Sequence, residues 1–221
     1  MAEILSTLED IQKLGLFTGM GDIYMAIITK METPTEAATY GKPQLIAEGI
    51  SFGITPVYAE GKLSASNRTI RKTKTPMGYT LKMEYPRILA AVRSYLLGHR
   101  VDSKGGELLG SGVEPPYVAI GYSATRDSGK PMLRWLYKAR FTEQTLEDKT
   151  EEEGTLDYRV PILEGDCVRC DNTIAIKGEN GETEYVRPLR YDADLEDPAC
   201  TWTEAAFFEA VPQYTPAGLP A

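Results

Sequence analysis

Few residues in this sequence have the types and spacing that chemistry requires, and the most suggestive are cysteines. The three cysteines include a C-x-x-C pair, Cys167-Val-Arg-Cys170, which is typical of half a zinc site or of a redox dithiol. Zinc needs four ligands, and Cys200 alone does not complete the set. A redox pair is expected just before a helix, whereas the pattern here predicts a strand, in which residues three apart point to opposite faces. We therefore expect neither a metal nor a redox role for this pair.

Histidine chemistry depends on a single residue, His99. It follows Gly98 at the end of a predicted helix, where an imidazole interacts favourably with the helix dipole. One histidine cannot form an H-E-x-x-H zinc pair, and no G-x-S-x-G motif supplies a nucleophile for a triad. The acidic run 151–153 lacks the spacing of a calcium loop. We expect no catalytic residue, no cofactor and no metal, and hence no enzyme.

Most of the chain alternates apolar and polar residues with a period of two, which predicts half-buried strands. Asn180-Gly181 favours a hairpin, and Pro161 favours a strand end or an edge. The predicted strands are 22–29, 50–55, 79–85, 117–124, 132–141, 155–162, 173–178 and 182–187. In 132–141, the residues expected to face inward are Leu133, Trp135, Tyr137, Ala139 and Phe141, and those expected to face outward are Arg134, Lys138 and Arg140.

Two segments have the periodicity of helices. PRILAAVRSYLL (86–97) places apolar residues at helical spacing, with Pro86 suited to a first helical position and Gly98 to the residue just past the end. Thr201-x-x-Glu204 resembles a capping box and predicts a short C-terminal helix. The fold class predicted is mostly β, a β-sandwich or barrel with one flanking helix at about 86–97 and a short second helix.

The chain length allows one all-β domain or two small ones, and no Gly/Ser-rich linker divides the sequence. The chain has 221 residues, of which 42% are hydrophobic and 25% are charged, as in ordinary globular proteins. The N-terminus lacks the basic start and apolar stretch of a signal peptide, so folding in a cytoplasm is expected. We expect an N-terminal arm at 1–20, a single β-domain at 21–211 and a flexible C-terminal tail at 212–221, where proline and small residues accumulate.

Charge is unevenly distributed along this chain, whose net charge is −8. An acidic chain does not neutralise phosphates, so tight binding of nucleic acid is not expected. Two predicted long loops stand out: 58–78 carries five cations and one anion, and 143–157 carries seven anions and one cation. These opposite charges predict a contact between adjacent copies of the chain. The residues expected in it are Lys62, Arg68, Arg71, Lys72 and Lys74 on one side and Glu147, Asp148, Glu151, Glu152 and Glu153 on the other.

One segment is specific enough to suggest a family. EPPYVAIGYSATRDSGKPMLRWLYKARFTE (114–143) contains P-Y-V-A-I-G, then G-K, then W-L-Y-K-A-R-F. Further similarities lie in GMGDIYMAIIT (19–29), TYGKPQLIAEGISFGITP (39–56), ILAAVRSYLLGHRVDSKGGEL (88–108) and TEAAFFEAV (203–211). In this order, the segments resemble the major tail (tail tube) proteins of long-tailed bacteriophages, especially those infecting low-GC Gram-positive bacteria. The chain departs from that pattern in the basic segment 66–78 and in the cysteine pair.

The resemblance implies a structural virion protein without catalytic activity. Its subunits would form hexameric rings that stack into a tail tube, with the N-terminal arm and the long loop after the early strand contacting the neighbouring ring. DNA would pass through this tube during ejection without specific binding. The implied partners are further copies of the chain, the tail tip or baseplate initiator, the tape measure protein and the tail terminator, in a virion tail assembled in the host cytoplasm without a membrane.

Two alternative functions follow from the sequence. One is the tube of a phage-derived injection particle or secretion machine, which neighbouring capsid and portal genes would distinguish from a phage tail. The other is a β-sandwich binding module such as a lectin. A lectin would need exposed aromatic clusters, whereas Trp135 and Tyr137 lie in the alternating pattern of a core.

Overall fold

Strands dominate the computed structural model, which describes residues 14–65, 68–110, 112–142, 160–177 and 182–214, and side chains in all of these except 62–71. The strands are β1 (Phe17–Lys30), β2 (Thr39–Tyr40), β3 (Gln44–Glu48), β4 (Ser51–Ala65), β5 (Arg68–Glu84), β6 (Arg100–Val101), β7 (Glu107–Leu108), β8 (Val118–Arg126), β9 (Met132–Thr142), β10 (Ile162–Val168), β11 (Ile174–Lys177), β12 (Thr183–Val186) and β13 (Arg190–Asp194). The helices are α1 (Ala90–Leu97) and α2 (Glu204–Glu209). The predicted class, mostly β with a few helices, is confirmed.

One antiparallel sheet of nine strands organises the described chain. Its path runs β2-β1-β8-β9-β10-β5-β4, while β3 pairs with β1 and β13 pairs with β9. β9 has β8 along one side, and along the other it has β13 opposite residues 132–136 and β10 opposite residues 139–142. The hairpins β6–β7 and β11–β12 form separate two-stranded sheets.

A bulge in β9 divides its side chains between two apolar cores. Val118 of β8 pairs with Ala139 but Ile120 pairs with Leu136, so β9 contains one residue more than its partner over this step. An extra residue moves the following side chains to the opposite face. Trp135 therefore lies in one core and Phe141 in the other. The single inward face predicted for 132–141 is wrong for this reason.

The larger core is enclosed because the sheet curves back on itself. Phe52 of β4 stacks on Tyr122 of β8 with ring centroids 4.6 Å apart, although three strands separate β4 from β8 along the sheet path. Leu81 and Ile120 are fully buried between these parts of the sheet, and Leu96 of α1 closes the core. This curvature agrees with the predicted sandwich or barrel.

The smaller core lies on the other face of the sheet and is covered by α2. Phe208 stacks on Tyr24 of β1 with ring centroids 4.3 Å apart, and Phe207 is fully buried beside Trp202. The indole Nε1 of buried Trp135 donates to the Phe207 carbonyl at 3.0 Å. A buried indole needs such an acceptor, so this hydrogen bond fixes the closing segment of the chain against β9.

Both helices exist where the sequence places them, but both begin later than predicted. α1 begins at Ala90 instead of Pro86, because β5 continues to Glu84 and Leu89, with an extended backbone, is the N-cap residue. Its end at Gly98 is confirmed: φ is +72°, a left-handed conformation that favours glycine. The N-cap of α2 is Thr203, whose hydroxyl accepts from the Ala206 amide at 3.3 Å. The predicted capping box at Thr201 is therefore wrong by two residues.

The predicted terminal segments are also displaced. β1 begins at Phe17, so residues 17–20 belong to the sheet and not to an arm. Pro212, predicted to begin a flexible tail, is buried and its carbonyl accepts from the Tyr137 hydroxyl at 2.8 Å. The hairpin predicted around Asn180-Gly181 is confirmed by the pairing of β11 with β12. Residues 1–13, 155–159 and 215–221 of these predictions lie outside the described residues.

Candidate functional site

The long hairpin of β4 and β5 extends beyond the rest of the sheet. Its strands pair from Ser51–Glu84 to Ala65–Arg68, but β10 pairs with β5 only between Gly78 and Glu84. Beyond Gly78 the hairpin has no further strand beside it among the described residues. At about 3.3 Å per residue, the stretch from Val57 to Ala65 is about 30 Å long. The prediction of a loop at 58–78 is wrong, because the described residues of this segment belong to the paired strands β4 and β5.

The distal part of this hairpin, residues 57–77, exposes apolar side chains. Every described side chain in 55–61 and 72–77 is exposed, which includes both faces of the ribbon. Val57 and Tyr58 are each 45% exposed and Met77 is 37% exposed. A two-stranded ribbon without a covering layer is marginally stable in water. Contact with another molecule would therefore both stabilise the distal hairpin and bury these apolar groups.

The charges of the distal hairpin are partly paired within it. Glu60 lies opposite Lys74, with Nζ and Oε1 3.1 Å apart, and its other oxygen lies 3.6 Å from Lys72. The Lys74 ammonium also lies 4.9 Å from the centroid of the Tyr58 ring. Two of the predicted contact cations thus share one carboxylate, which leaves a net positive charge.

The remaining predicted contact residues stay untested. The side chains of Lys62, Arg68 and Arg71 are not among those described. The acidic residues expected opposite them, Glu147, Asp148, Glu151, Glu152 and Glu153, all lie outside the described residues. The contact between a basic and an acidic segment therefore stays a prediction.

Both ends of the sheet path have an open edge within the described chain. β4 pairs with β5 alone, and β2 and β3 pair with β1 alone. The unpaired amide and carbonyl groups of such an edge can pair with a strand of another chain. The sheet therefore has two edges and the distal hairpin available for contacts between copies.

His99 lies just past the C-terminal end of α1, and its ring contacts a carboxylate. Its Nδ1 lies 2.9 Å from Oε2 of Glu107, and Arg93 Nη2 lies 2.9 Å from Oε1 of the same group. The His99 amide donates to the Ser94 carbonyl at 2.8 Å, which completes the C-terminal cap of α1. Hydrogen bonds from His99 and Arg93 lower the pKa of Glu107 to about 2. This arrangement ties α1 to the β6–β7 hairpin.

The two cysteines of the C-x-x-C pair are free thiols in different cores. Cys167 lies in the larger core and Cys170 in the smaller core, and both are buried. Burial raises the pKa of Cys167 to about 11 and that of Cys170 to about 12. The thiolate is the nucleophile and the metal ligand, so both groups are poorly suited to either role at neutral pH.

A buried ion pair in the middle of β9 was not predicted. Lys138, expected to face outward, has its side chain only 9% exposed, and its Nζ lies 2.5 Å from Oε1 of Glu32. The Glu32 side chain is 1% exposed, and Asp171 lies 3.5 Å from the same ammonium. The bulge beside Lys138 turns this residue toward the β1–β2 connection. Lys138 thus joins β9 to the β1–β2 connection through Glu32 and to the β10–β11 connection through Asp171.

A second charged cluster holds the start of β1. Arg126 makes two hydrogen bonds to Asp194, at 2.6 and 3.0 Å, and one to Glu196 at 2.8 Å. Oε1 of Glu196 accepts from the Gly15 amide at 2.8 Å and from the Ser128 hydroxyl at 2.5 Å. The pKa of Asp194 is lowered mainly by Arg126, and that of Glu196 mainly by the Ser128 hydroxyl. Arg126 and Glu196 are 70 residues apart, so no local pattern in the sequence signals this cluster.

No protein-family model matches this chain, and no curated protein matches it. Among the described residues, no group of three or more His, Cys, Asp or Glu side chains is placed to hold a metal ion. No helix in the described ranges is long and apolar enough to cross a membrane. The features that bear on function are therefore the open sheet edges, the distal hairpin and the resemblance in 114–143.

Proposed function

We propose that this chain is the structural subunit of a tail tube of a long-tailed bacteriophage. Copies would close into rings, hexameric by the family resemblance, and the rings would stack into the conduit for DNA ejection. The observation that carries the proposal is the distal hairpin, whose described side chains are exposed on both faces of the ribbon. A monomer gains no stability from a ribbon that is exposed to water. In a polymer, a neighbouring copy can cover the ribbon in every subunit except those at one end.

The two open edges support closure of the ring. If β4 of one copy paired with β2 or β3 of the next copy, the sheet would continue from subunit to subunit. Such a contact is heterologous, and heterologous contacts produce a ring when the rotation between copies closes. Closure would also remove the edges that a free subunit leaves open to aggregation.

The hairpin supports stacking of the rings. Its length of about 30 Å exceeds the 17–20 Å of a common strand, so its tip can reach a neighbour beyond the body of its own subunit. The net charge of −8 supports the DNA conduit. An acidic wall repels the phosphate backbone and therefore does not retain DNA.

Electron microscopy of the concentrated purified protein tests this proposal. We expect hollow tubes with a regular axial repeat, or rings when assembly stops early. A sample seeded with tail tip initiator complex would separate slow nucleation from inability to polymerise. A chain that stays monomeric by analytical ultracentrifugation, both alone and with such seeds, contradicts the proposal. The tube of a phage-derived injection particle would look alike, and the neighbouring genes would distinguish it.

A further inference from the structure

A lysine and two carboxyl groups meet beside the bulge of β9, and these are the groups from which side chains can form an amide bond. Nζ of Lys138 lies 2.5 Å from Oε1 of Glu32 and 3.5 Å from Oδ2 of Asp171. Groups held about 3–3.5 Å apart in a fixed orientation react as if they were present at very high concentration. The Asp171 carboxyl is therefore within reach of this amine.

Backbone contacts hold Asp171 in this position. Its amide donates to Oε1 of Glu32 at 3.3 Å, and the Thr173 amide donates to the Pro34 carbonyl at 3.3 Å. The β10–β11 connection is thus fastened to the β1–β2 connection on both sides of Asn172. Lys138 belongs to β9, which is paired along both of its edges. The amine and the carboxyl are therefore presented by fixed segments, and little conformational freedom is lost when they react.

The three groups differ in exposure in a way that suits the loss of water. The side chains of Glu32 and Lys138 are 1% and 9% exposed, whereas that of Asp171 is 66% exposed. The Tyr117 ring covers the ammonium, with its centroid 5.2 Å from Nζ. Oε2 of Glu32 is buried and has no hydrogen-bond partner among the described residues, although buried polar atoms normally have one. This carboxyl can therefore hold a proton, and a released water can leave past Asp171.

We propose that Lys138 and Asp171 condense in the folded chain to an amide bond between their side chains, with Glu32 transferring the protons. Glu32 takes one proton from the ammonium, and the Asp171 carboxylate takes one from solvent. Nζ of Lys138 then attacks Cγ of Asp171. The C–N bond forms as the C–O bond to the hydroxyl breaks, and the second amine proton passes by way of Glu32 to the leaving hydroxyl, which departs as water. Glu32 ends neutral, so uncharged groups replace a buried ion pair that is costly to desolvate.

Condensation is slow compared with folding. Burial lowers the pKa of Lys138, but the hydrogen bond with Glu32 outweighs this effect and raises the pKa above its ordinary value. The neutral amine is therefore a minor species. Freshly refolded chains keep the open ion pair seen in the structure, and that open form is the reference for the stability of the pair. The bond lies within one chain, so it is independent of the proposed tube.

Mass spectrometry of the full chain tests this inference. After prolonged incubation of the folded protein, we expect a mass lower by one water molecule than the sequence requires. Trypsin should then release a branched peptide that joins residues 135–140 to residues 170–177, because it does not cleave after a lysine whose amine is in an amide bond. Lys30, which lies 2.7 Å from Glu36 on the surface, is the internal control and should stay cleavable. An unchanged mass, or a water loss confined to an unbranched peptide, overturns the proposal.

Three variants assign the roles of the reacting groups. Asp171→Ala removes the carboxyl, and Lys138→Arg keeps the positive charge without a reactive amine, so both should retain their full mass. Glu32→Gln keeps the size of the side chain but cannot take up the proton, and it should slow condensation about a hundredfold. Circular dichroism checks the fold of each variant. Asp171 is largely exposed, so Asp171→Ala folds and decides the question even if a buried variant does not. A water loss that persists in Asp171→Ala overturns the bond, and an unchanged rate in folded Glu32→Gln overturns the role of Glu32.

Discussion

The buried charge of Lys138 in β9 depends on Glu32 for compensation. Its ammonium and the Glu32 carboxylate are both almost completely buried, so each is compensated mainly by the other. Removing one partner of a buried pair leaves an uncompensated charge in a medium that solvates it poorly. We predict that Lys138→Met lowers the free energy of unfolding by about 3–5 kcal/mol, as measured by urea denaturation at neutral pH.

The double variant separates charge from packing. Glu32→Gln combined with Lys138→Met removes both charges and keeps similar volumes, so it should recover most of the lost stability. Equal losses in the single and double variants would show that the ion pair contributes little. The loss would then come from the way methionine packs in place of lysine beside the bulge.

Glu107 gives the link between α1 and the β6–β7 hairpin a defined pH dependence. Its pKa of about 2 in the folded chain lies below the value of about 4.3 for a free glutamate. When folding lowers the pKa of a carboxylate, that carboxylate stabilises the folded state at pH values above its pKa in the unfolded chain. The stabilisation is lost as the pH falls through the pKa of the folded chain. We predict that the free energy of unfolding decreases between about pH 4 and pH 2, and that Glu107→Gln makes this decrease smaller.

The measurement is a series of urea titrations across that pH range. Glu184→Gln, on the exposed strand β12, is the control and should follow the parent chain. A Glu107→Gln variant with the full acid-induced decrease would assign the effect to other carboxylates, of which Asp194 and Glu196 also have lowered pKa values.

The distal hairpin is the element on which polymerisation is expected to depend most. We predict that replacing residues 58–77 by an Asn-Gly turn leaves the fold intact, since the described part of this segment buries no side chain. Asn-Gly suits a two-residue hairpin turn, and Val57 and Gly78, which pair with each other, would flank it. The variant should melt within a few degrees of the parent chain by circular dichroism and should form no tubes in the electron microscope. Tubes of normal length from this variant would exclude the hairpin from assembly.

The elements were more predictable than their faces. Period-two alternation located most of the strands, because burial on one face of a sheet produces that pattern in the sequence. It placed one strand at 155–162, whereas β10 begins only at Ile162. It failed in β9, where the bulge beside Lys138 exchanges the two faces and both faces are buried. It also missed the distal hairpin, because a ribbon exposed on both faces has no apolar alternation to detect. The clusters around Glu32 and Arg126 join residues far apart in sequence, so only the fold brings them together.

At the scale of the whole molecule, the arrangement of charge matters more than its total. The chain is acidic, yet the segment 58–78 carries five cations against one anion, and the structure places this segment on a ribbon that extends from the sheet. A single exposed ion pair contributes only about 0–1 kcal/mol. In a polymer, however, the same contact repeats in every subunit, so a small interaction can set the register between copies.

Reversing the charge of the ribbon should therefore affect assembly more than folding. We predict that changing Arg68, Arg71, Lys72 and Lys74 together to glutamate leaves the monomer's melting temperature nearly unchanged and strongly slows tube formation at low salt. Added salt should partly restore the rate, because screening limits exposed charges to about 8–10 Å at physiological ionic strength. The same four changes to glutamine are the control, and they should slow assembly less and respond less to salt. Light scattering at two salt concentrations measures both rates. An unchanged rate for the glutamate variant at low salt would mean that the ribbon contacts its neighbour through Val57, Tyr58 and Met77 without help from its charges.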